Sequence, residues 1–261
     1  MAKPKKSSRR SSREEIQELE ATGRQPLRSS KTSKSAQRRA DEAWNRSSNK
    51  PLTCKNEAQK NYLATIRSNM LTIGVGPAGT GKTYVCTKFA AIELDEGRAD
   101  GIVVVRPIVE AGGGIGFLPG DVADKTAPYQ VPFMEVLEEH YGKSHLENLV
   151  NGTYPKVVFI APEFIRGRTF ANKVVILDEA QNMTPLQMKT FLTRIGEGSK
   201  VIINGDIDQV DITGPSGLKD AMDKLQGLTD VGIAEFTEDD IVRSGLVKDI
   251  LKRYRSHNAF A

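Results

Sequence analysis

Residues 74–86 read GVGPAGTGKTYVC. Within them Gly76, four intervening residues, then Gly81, Lys82 and Thr83 make the spacing of a loop that grips a phosphate. Gly76, Gly79 and Gly81 allow the backbone to wrap closely round an anion, with its N–H groups turned inward. A helix that starts at Lys82 presents its positive end to the same anion. Lys82 is expected to reach the outer phosphates of a nucleotide, and the Thr83 hydroxyl to bind Mg2+. Pro77, Ala78 and Thr80 complete the cradle. Glycine-rich turns are often purely structural, so the strand before this loop and the helix after it are what mark it as a P-loop.

Two further strings end in acidic residues. In VVILDEAQN, residues 174–182, four apolar residues drive a buried strand and Asp178 emerges at its carboxyl end. A carboxylate there can hold the Mg2+ that Thr83 also binds. Glu179, the next residue, can orient and deprotonate a water attacking the outer phosphate. A kinase for small molecules gains nothing from such a residue, because activated water wastes its nucleotide. In NGDIDQVD, residues 204–211, Asp206 and Gln209 are expected to sense the outer phosphate and the attacking water. Gly-Asp is a common turn pair; its weight comes from standing third, after the other two strings. A solvent-exposed strand-end pair is the plainer alternative for Asp178 and Glu179. Taken together the three strings point to hydrolysis.

The elements that must carry these residues alternate. Strands are predicted at 71–76, 101–107, 156–161, 173–178, 200–205 and 231–236, and helices at 56–68, 82–95, 131–141, 185–196, 216–226 and 238–253. Apolar runs without alternation suit strands buried on both faces, hence an α/β domain with a mainly parallel sheet and helices on both sides. Thr184 suits a helix N-cap, Pro185 the first turn and Gly196 the stop.

The chain has 261 residues and a formal charge of +4. That charge is unevenly spread: residues 1–50 hold 14 Lys or Arg against 6 Asp or Glu, and the rest hold 23 against 27. The expected division is therefore a basic arm over 1–50 and one ATPase domain over 51–261. The arm is rich in Ser, Lys and Arg, so it is expected to be disordered. It serves either as a contact for nucleic-acid phosphates or as a solvated tail. Trp44 stands alone in it, so base stacking has no support there. A transit peptide is disfavoured by the acidic run REEIQELE. Cys54 and Cys86 show no metal-ligand spacing. No apolar stretch nears the roughly 20 residues that span a bilayer. The expectation is a soluble protein of a reducing, cytoplasmic compartment.

The combination of GPAGTGKT, ILDEAQN and GDIDQVD resembles the core of superfamily 1 helicases. The chain is more closely similar to PhoH-family ATPases, through RPIVEAGGGIGFLPGD (106–121), RGRT (166–169) and DIVRSGLV (240–247). The resemblance covers about residues 51–255 and implies a RecA-like P-loop NTPase fold with ATP and Mg2+ as its ligands. It places an adenine-reading glutamine at Gln59, in KNEAQKNYL. It also places a late arginine at Arg243, to meet charge that develops on the transferred phosphoryl group. An exposed helix glutamine and a surface ion pair are the respective alternatives. The sequence departs from the family's usual pattern at Gly112–Gly114, where an acidic residue is common, and at Ser244, where His is common.

A superfamily 1 helicase sandwiches ATP between two lobes, and this chain is expected to have only one. The expectation is a ring-forming homo-oligomer, hexameric, with Arg243 reaching a neighbour's nucleotide. RNA or single-stranded DNA is the expected partner, translocated or unwound, with Arg106, Arg166 and Arg168 as candidate contacts. Relatives that carry a nuclease domain suggest a nuclease or another protein as a further partner, since this chain is expected to lack room for one. The alternative is a nucleotide-dependent adaptor or switch that remodels a protein partner.

Overall fold

The computed structural model describes residues 51–108 and 122–242, together with Arg253. Side chains are described from residue 127 onward in the segment that begins at 122. The basic arm and Arg243 lie outside the described residues, as do residues 109–121 of the string RPIVEAGGGIGFLPGD.

Six strands form one sheet: β1 (Leu71–Val75), β2 (Gly101–Val105), β3 (Val157–Ile160), β4 (Lys173–Leu177), β5 (Lys200–Gly205) and β6 (Val231–Glu235). Their order is β3-β2-β4-β5-β1-β6, and every pairing is parallel. Alternate residues of the apolar runs feed opposite faces. Ile102, Val104, Val174, Ile176 and Ile202 join one core. Val103, Val105, Val175, Leu177 and Ile203 join the other. This is why the runs show no polar alternation: both faces are covered.

The first core is roofed by α1 (Glu57–Ser68), α2 (Lys82–Asp95), α3 (Val122–Tyr141) and α4 (Lys143–Asn151). The second is roofed by α5 (Pro185–Leu192) and α6 (Gly217–Leu225). The α/β architecture expected from the sequence is present, consistent with a RecA-like P-loop fold.

Element boundaries differ in places. Helix α3 begins at Val122 instead of 131 and runs through Pro128 and Pro132. Helix α4, with Leu146 in the core, was not predicted. The capping box of Thr184 and Gln187 starts α5 as expected. That helix nevertheless ends at Leu192, because Arg194 N–H turns back to the Phe191 carbonyl and tightens the last turn. Gly196 instead donates to the Phe170 carbonyl at 2.6 Å. Of the helix predicted over 238–253, the continuous described part holds only a single 3-10 turn, Glu238–Asp240.

One buried contact ties α1 to the middle of the sheet. The Tyr62 hydroxyl donates to Asn204 Oδ1 at 2.5 Å, and Asn204 Nδ2 donates to the Cys86 sulfur at 3.3 Å. All three side chains have no exposure. Tyr62→Phe leaves the Asn204 oxygen buried without its donor, which costs about 1–3 kcal/mol. The expected outcome is a lower urea midpoint with an unchanged slope; an unaltered midpoint would show that the hydroxyl contributes nothing.

Candidate active site

Four neighbouring strands, β2, β4, β5 and β1, end side by side along the sheet's carboxyl edge. Each delivers polar residues there: Arg106 after β2, Asp178 and Glu179 after β4, Asp206 after β5 and the glycine-rich loop after β1. One strand, β5, lies between the P-loop strand and the Asp178 strand. Parallel sheets place ligands in the crevice outside these ends.

The loop follows its sequence logic. Gly76 has φ +136, and a Cβ there would run into the Phe236 carbonyl, so only glycine fits. Its N–H donates to the Gly205 carbonyl at 3.1 Å, which joins the loop to the end of β5. Helix α2 begins at Lys82, immediately after Gly81. The Lys82 ammonium donates to the Gly76 and Pro77 carbonyls at 2.6 and 2.9 Å, and lies 5.7 Å from the Phe236 ring centre. Burial pulls its proton affinity below the ordinary lysine value, while Asp206, Asp178 and Glu179 oppose that shift. A phosphate oxyanion is a stronger acceptor than either carbonyl, so the ammonium is set to transfer to one.

A cleft of about 390 Å³ opens above the loop. It is lined by Ala78, Gly79, Thr80, Gly81, Lys82, Thr83, Arg106, Pro132, Asp178, Glu179, Gly205, Asp206 and Gln209. Gly76 and Pro77 line an adjoining cleft with Asp206, Met222 and Phe236. The three strings singled out in the sequence thus meet in one place. Gln209 is exposed, and its N–H donates to the Asp206 carbonyl at 3.2 Å.

Thr83 Oγ1 donates to Asp178 Oδ1 at 3.4 Å. Burial first, and then the neighbouring Glu179 carboxylate, push the Asp178 carboxyl up to about 6; Arg106 and Lys82 pull the other way. A buried carboxylate whose charge is this costly, beside a threonine hydroxyl, is a hard-oxygen pair of the kind Mg2+ takes. Among the described residues no group of three or more His, Cys, Asp or Glu is arranged to hold a metal. The pair therefore suits an ion that draws its other ligands from phosphates and water.

Arg106 occupies a place that sequence reasoning did not give it. Its two terminal nitrogens lie 3.5 Å from Asp178 Oδ2 and 3.4 Å from Glu179 Oε1. The guanidinium carbon also lies 5.7 Å from the Tyr129 ring centre. Arg106 thus pairs with both site carboxylates. Arg166 and Arg168 are exposed, and Arg168 donates to the Phe164 carbonyl.

Gln59 is not among the cleft-lining residues. It is 3% exposed; its Nε2 donates to the Thr80 carbonyl and its Oε1 accepts from Lys55 N–H, both at 2.8 Å. Both ends of the amide are engaged, one with the P-loop and the other with the chain just before α1, so reading adenine would require exchanging these bonds. Arg243 lies outside the described residues, but the residue before it, Val242, donates its N–H to the Gly79 carbonyl at 2.9 Å. Cys86 is buried and its thiol is pushed up to about 12, so it packs instead of reacting.

Residues 51–255 match the family of PhoH-like proteins. This chain belongs to the PhoH family. A PhoH-like protein of Bacillus subtilis is 43% identical over 212 residues, which cover 80% of this chain and 66% of that relative. Protein PhoH of Escherichia coli K12 is 45% identical over 206 residues, covering 78% of this chain and 58% of that protein. A PhoH-like protein of Synechocystis is 39% identical over 210 residues, with 79% and 63% covered. The matched segment therefore spans less than two thirds of these relatives' lengths. PhoH proteins are a family of P-loop ATPases, and membership supports nucleotide binding by this chain. The matched range includes every residue of the cleft. No helix among the described residues is long and apolar enough to cross a membrane.

The raised Asp178 carboxyl gives a signed prediction. Its folded pKa exceeds the unfolded one, so its favourable contribution is full below about pH 4 and is lost as pH rises through about 6. Asp178→Asn removes that loss. In nucleotide-free thermal melts, the variant should gain on the parent as pH rises from 4 to 7, and Mg2+ should cease to stabilise its nucleotide complex. A variant that loses ground to the parent as pH rises would contradict the assignment.

Proposed function

We propose that this PhoH-family chain hydrolyses ATP with Mg2+ and couples hydrolysis to movement along, or unwinding of, RNA or single-stranded DNA. The observation that carries the hydrolytic part is the single cleft lined by Lys82, Thr83, Asp178, Glu179, Asp206 and Gln209. Thr83 and Asp178 would hold Mg2+, which supplies charge neutralisation at the outer phosphates when bound. The backbone of Gly76–Thr83 wraps the phosphates, and Lys82 leaves its own loop carbonyls for them. Glu179 orients a water and accepts its proton at a carboxylate oxygen. Gln209 bonds the same water, and Asp206 stands beside the outer phosphate. Arg243 supplies a further cation, and Gln59 fixes the loop from behind.

The coupling rests on the likeness to superfamily 1 helicases and on the basic arm at 1–50. It requires a homo-oligomer, of which a hexameric ring is the expected form. In that form Arg243 reaches the nucleotide of a neighbouring subunit. An adaptor that remodels a protein partner is the second reading. The excess of acidic over basic residues outside the arm favours it, because nucleic-acid phosphates gain little from such a surface.

Phosphate release measured with and without single-stranded RNA and DNA, across a range of salt, separates the readings. The expected result is Mg2+-dependent turnover that either strand stimulates, with a stimulation that falls as salt rises. Turnover untouched by every strand would favour the adaptor. No turnover at all would remove the hydrolytic reading. Glu179→Gln should retain ATP affinity and lose turnover by about a hundredfold or more; parent-like turnover would take the base role from Glu179.

A further inference from the structure

One buried amide in the site has no part in gripping phosphate. Gln181 is 1% exposed and sits on the 3-10 turn Ala180–Asn182, directly behind Glu179. Its Nε2 donates to Glu179 Oε2 at 2.7 Å, and its Oε1 accepts the Asp206 N–H at 3.1 Å. The carboxamide is polarised to match: turned over, it would set oxygen against carboxylate and N–H against N–H. One side chain therefore ties the end of β4 to the loop after β5.

Asn182 repeats the tie one residue on. Its Oδ1 accepts the Asp211 N–H at 2.8 Å, and its Nδ2 donates to Asp211 Oδ2 at 3.2 Å. The loop that carries Gln209 is thus held at both ends by the turn that follows Glu179. Gly205 makes room for this. A Cβ there would lie 2.5 Å from the flexible Leu218 Cδ2, 2.7 Å from Gln181 Oε1 and 3.2 Å from Gln181 N. Its φ is not positive, so glycine is needed for clearance and not for conformation. Glu179 itself has φ +53, a left-handed setting that a non-glycine residue keeps only where neighbours over-determine it.

We infer that Gln181 is a positioning residue that fixes the Glu179 carboxylate relative to the Asp206–Gln209 loop, with Gly205 as the clearance that admits it. The inference rests on the hydrolytic reading above. Arg106 holds one Glu179 oxygen and Gln181 the other. Each carboxylate oxygen keeps a second lone pair, so the group is immobilised and can still accept a proton from water. The water-activating residue and the loop that senses the outer phosphate then move as one body. Loss of the tie lets them drift apart, and a misplacement near 1 Å costs on the order of a hundredfold in rate.

The test uses the full chain with two changes: Gln181→Met, which keeps the bulk and removes both bonds, and Gly205→Ala, which displaces an intact Gln181. The first readout is hydrogen exchange of the Asp206 amide in nucleotide-free protein, by NMR. The second is the split between kcat and KM for ATP. Either variant that folds should lose Asp206 amide protection and about tenfold or more in kcat, with KM within about threefold. Parent-like protection in Gln181→Met, or parent-like kcat despite lost protection, overturns the inference. If Gln181→Met does not fold, Gly205→Ala decides by the same two results. A parent that hydrolyses nothing removes the hydrolytic reading instead, and the exchange experiment still reports whether the tie exists.

Discussion

Charge withdrawn from water has to be paired. Among the described residues, this cleft gathers Asp178, Glu179 and Asp206 with Lys82 and Arg106 to balance them. The pairing is incomplete at Asp178, whose carboxyl is pushed up to about 6 despite the guanidinium beside it. A buried carboxylate whose charge is this poorly balanced is one that a divalent cation would relieve. Lys82 is in the converse position: it is partly stripped of water and held by backbone carbonyls. An anion with its own divalent cation satisfies both at once. Magnesium and a nucleotide triphosphate are such a pair.

The sheet order makes that gathering possible. Because β5 stands between β1 and β4, its end loop reaches the space between the phosphate loop and Asp178. If β1 and β4 were direct neighbours, Asp206 and Gln209 would have no place there. Two small residues hold the layers together: Gly76 lets the loop pass the Phe236 carbonyl, and Gly205 lets Gln181 lie against the end of β5. Below the cleft, Tyr62, Asn204 and Cys86 connect α1, β5 and α2 without a solvent-facing atom among them. Arg106 adds β2 and, through Tyr129, helix α3. All four strand ends are thereby mechanically connected to one another.

Much of this was legible in the sequence because the signals were local. The run from Gly76 to Thr83 determines its own loop, and apolar runs such as Val174–Leu177 set their own strands. Helix α2 occupies the predicted range, because nothing interrupts its pattern between Gly81 and Gly97. The misses were of two physical kinds. The helix was predicted from 131, yet α3 begins at Val122 and runs through Pro128 as well as Pro132. Arg106 was named as a candidate nucleic-acid contact, and its pairing with carboxylates 72 and 73 residues away along the chain gave no local signal. Gln59 and Gln181 were harder still. Both stand in quoted motifs, but nothing in one sequence says that their amides turn inward to loop backbone and carboxylate.

The central claim is that the cleft transfers the outer phosphoryl group to water. It is tested most directly by running the reaction in water enriched in oxygen-18 and analysing the products by mass spectrometry. The account predicts one labelled oxygen in each released phosphate and an unlabelled nucleoside diphosphate. Phosphate without label, or a phosphoryl group found on any other acceptor, would contradict it.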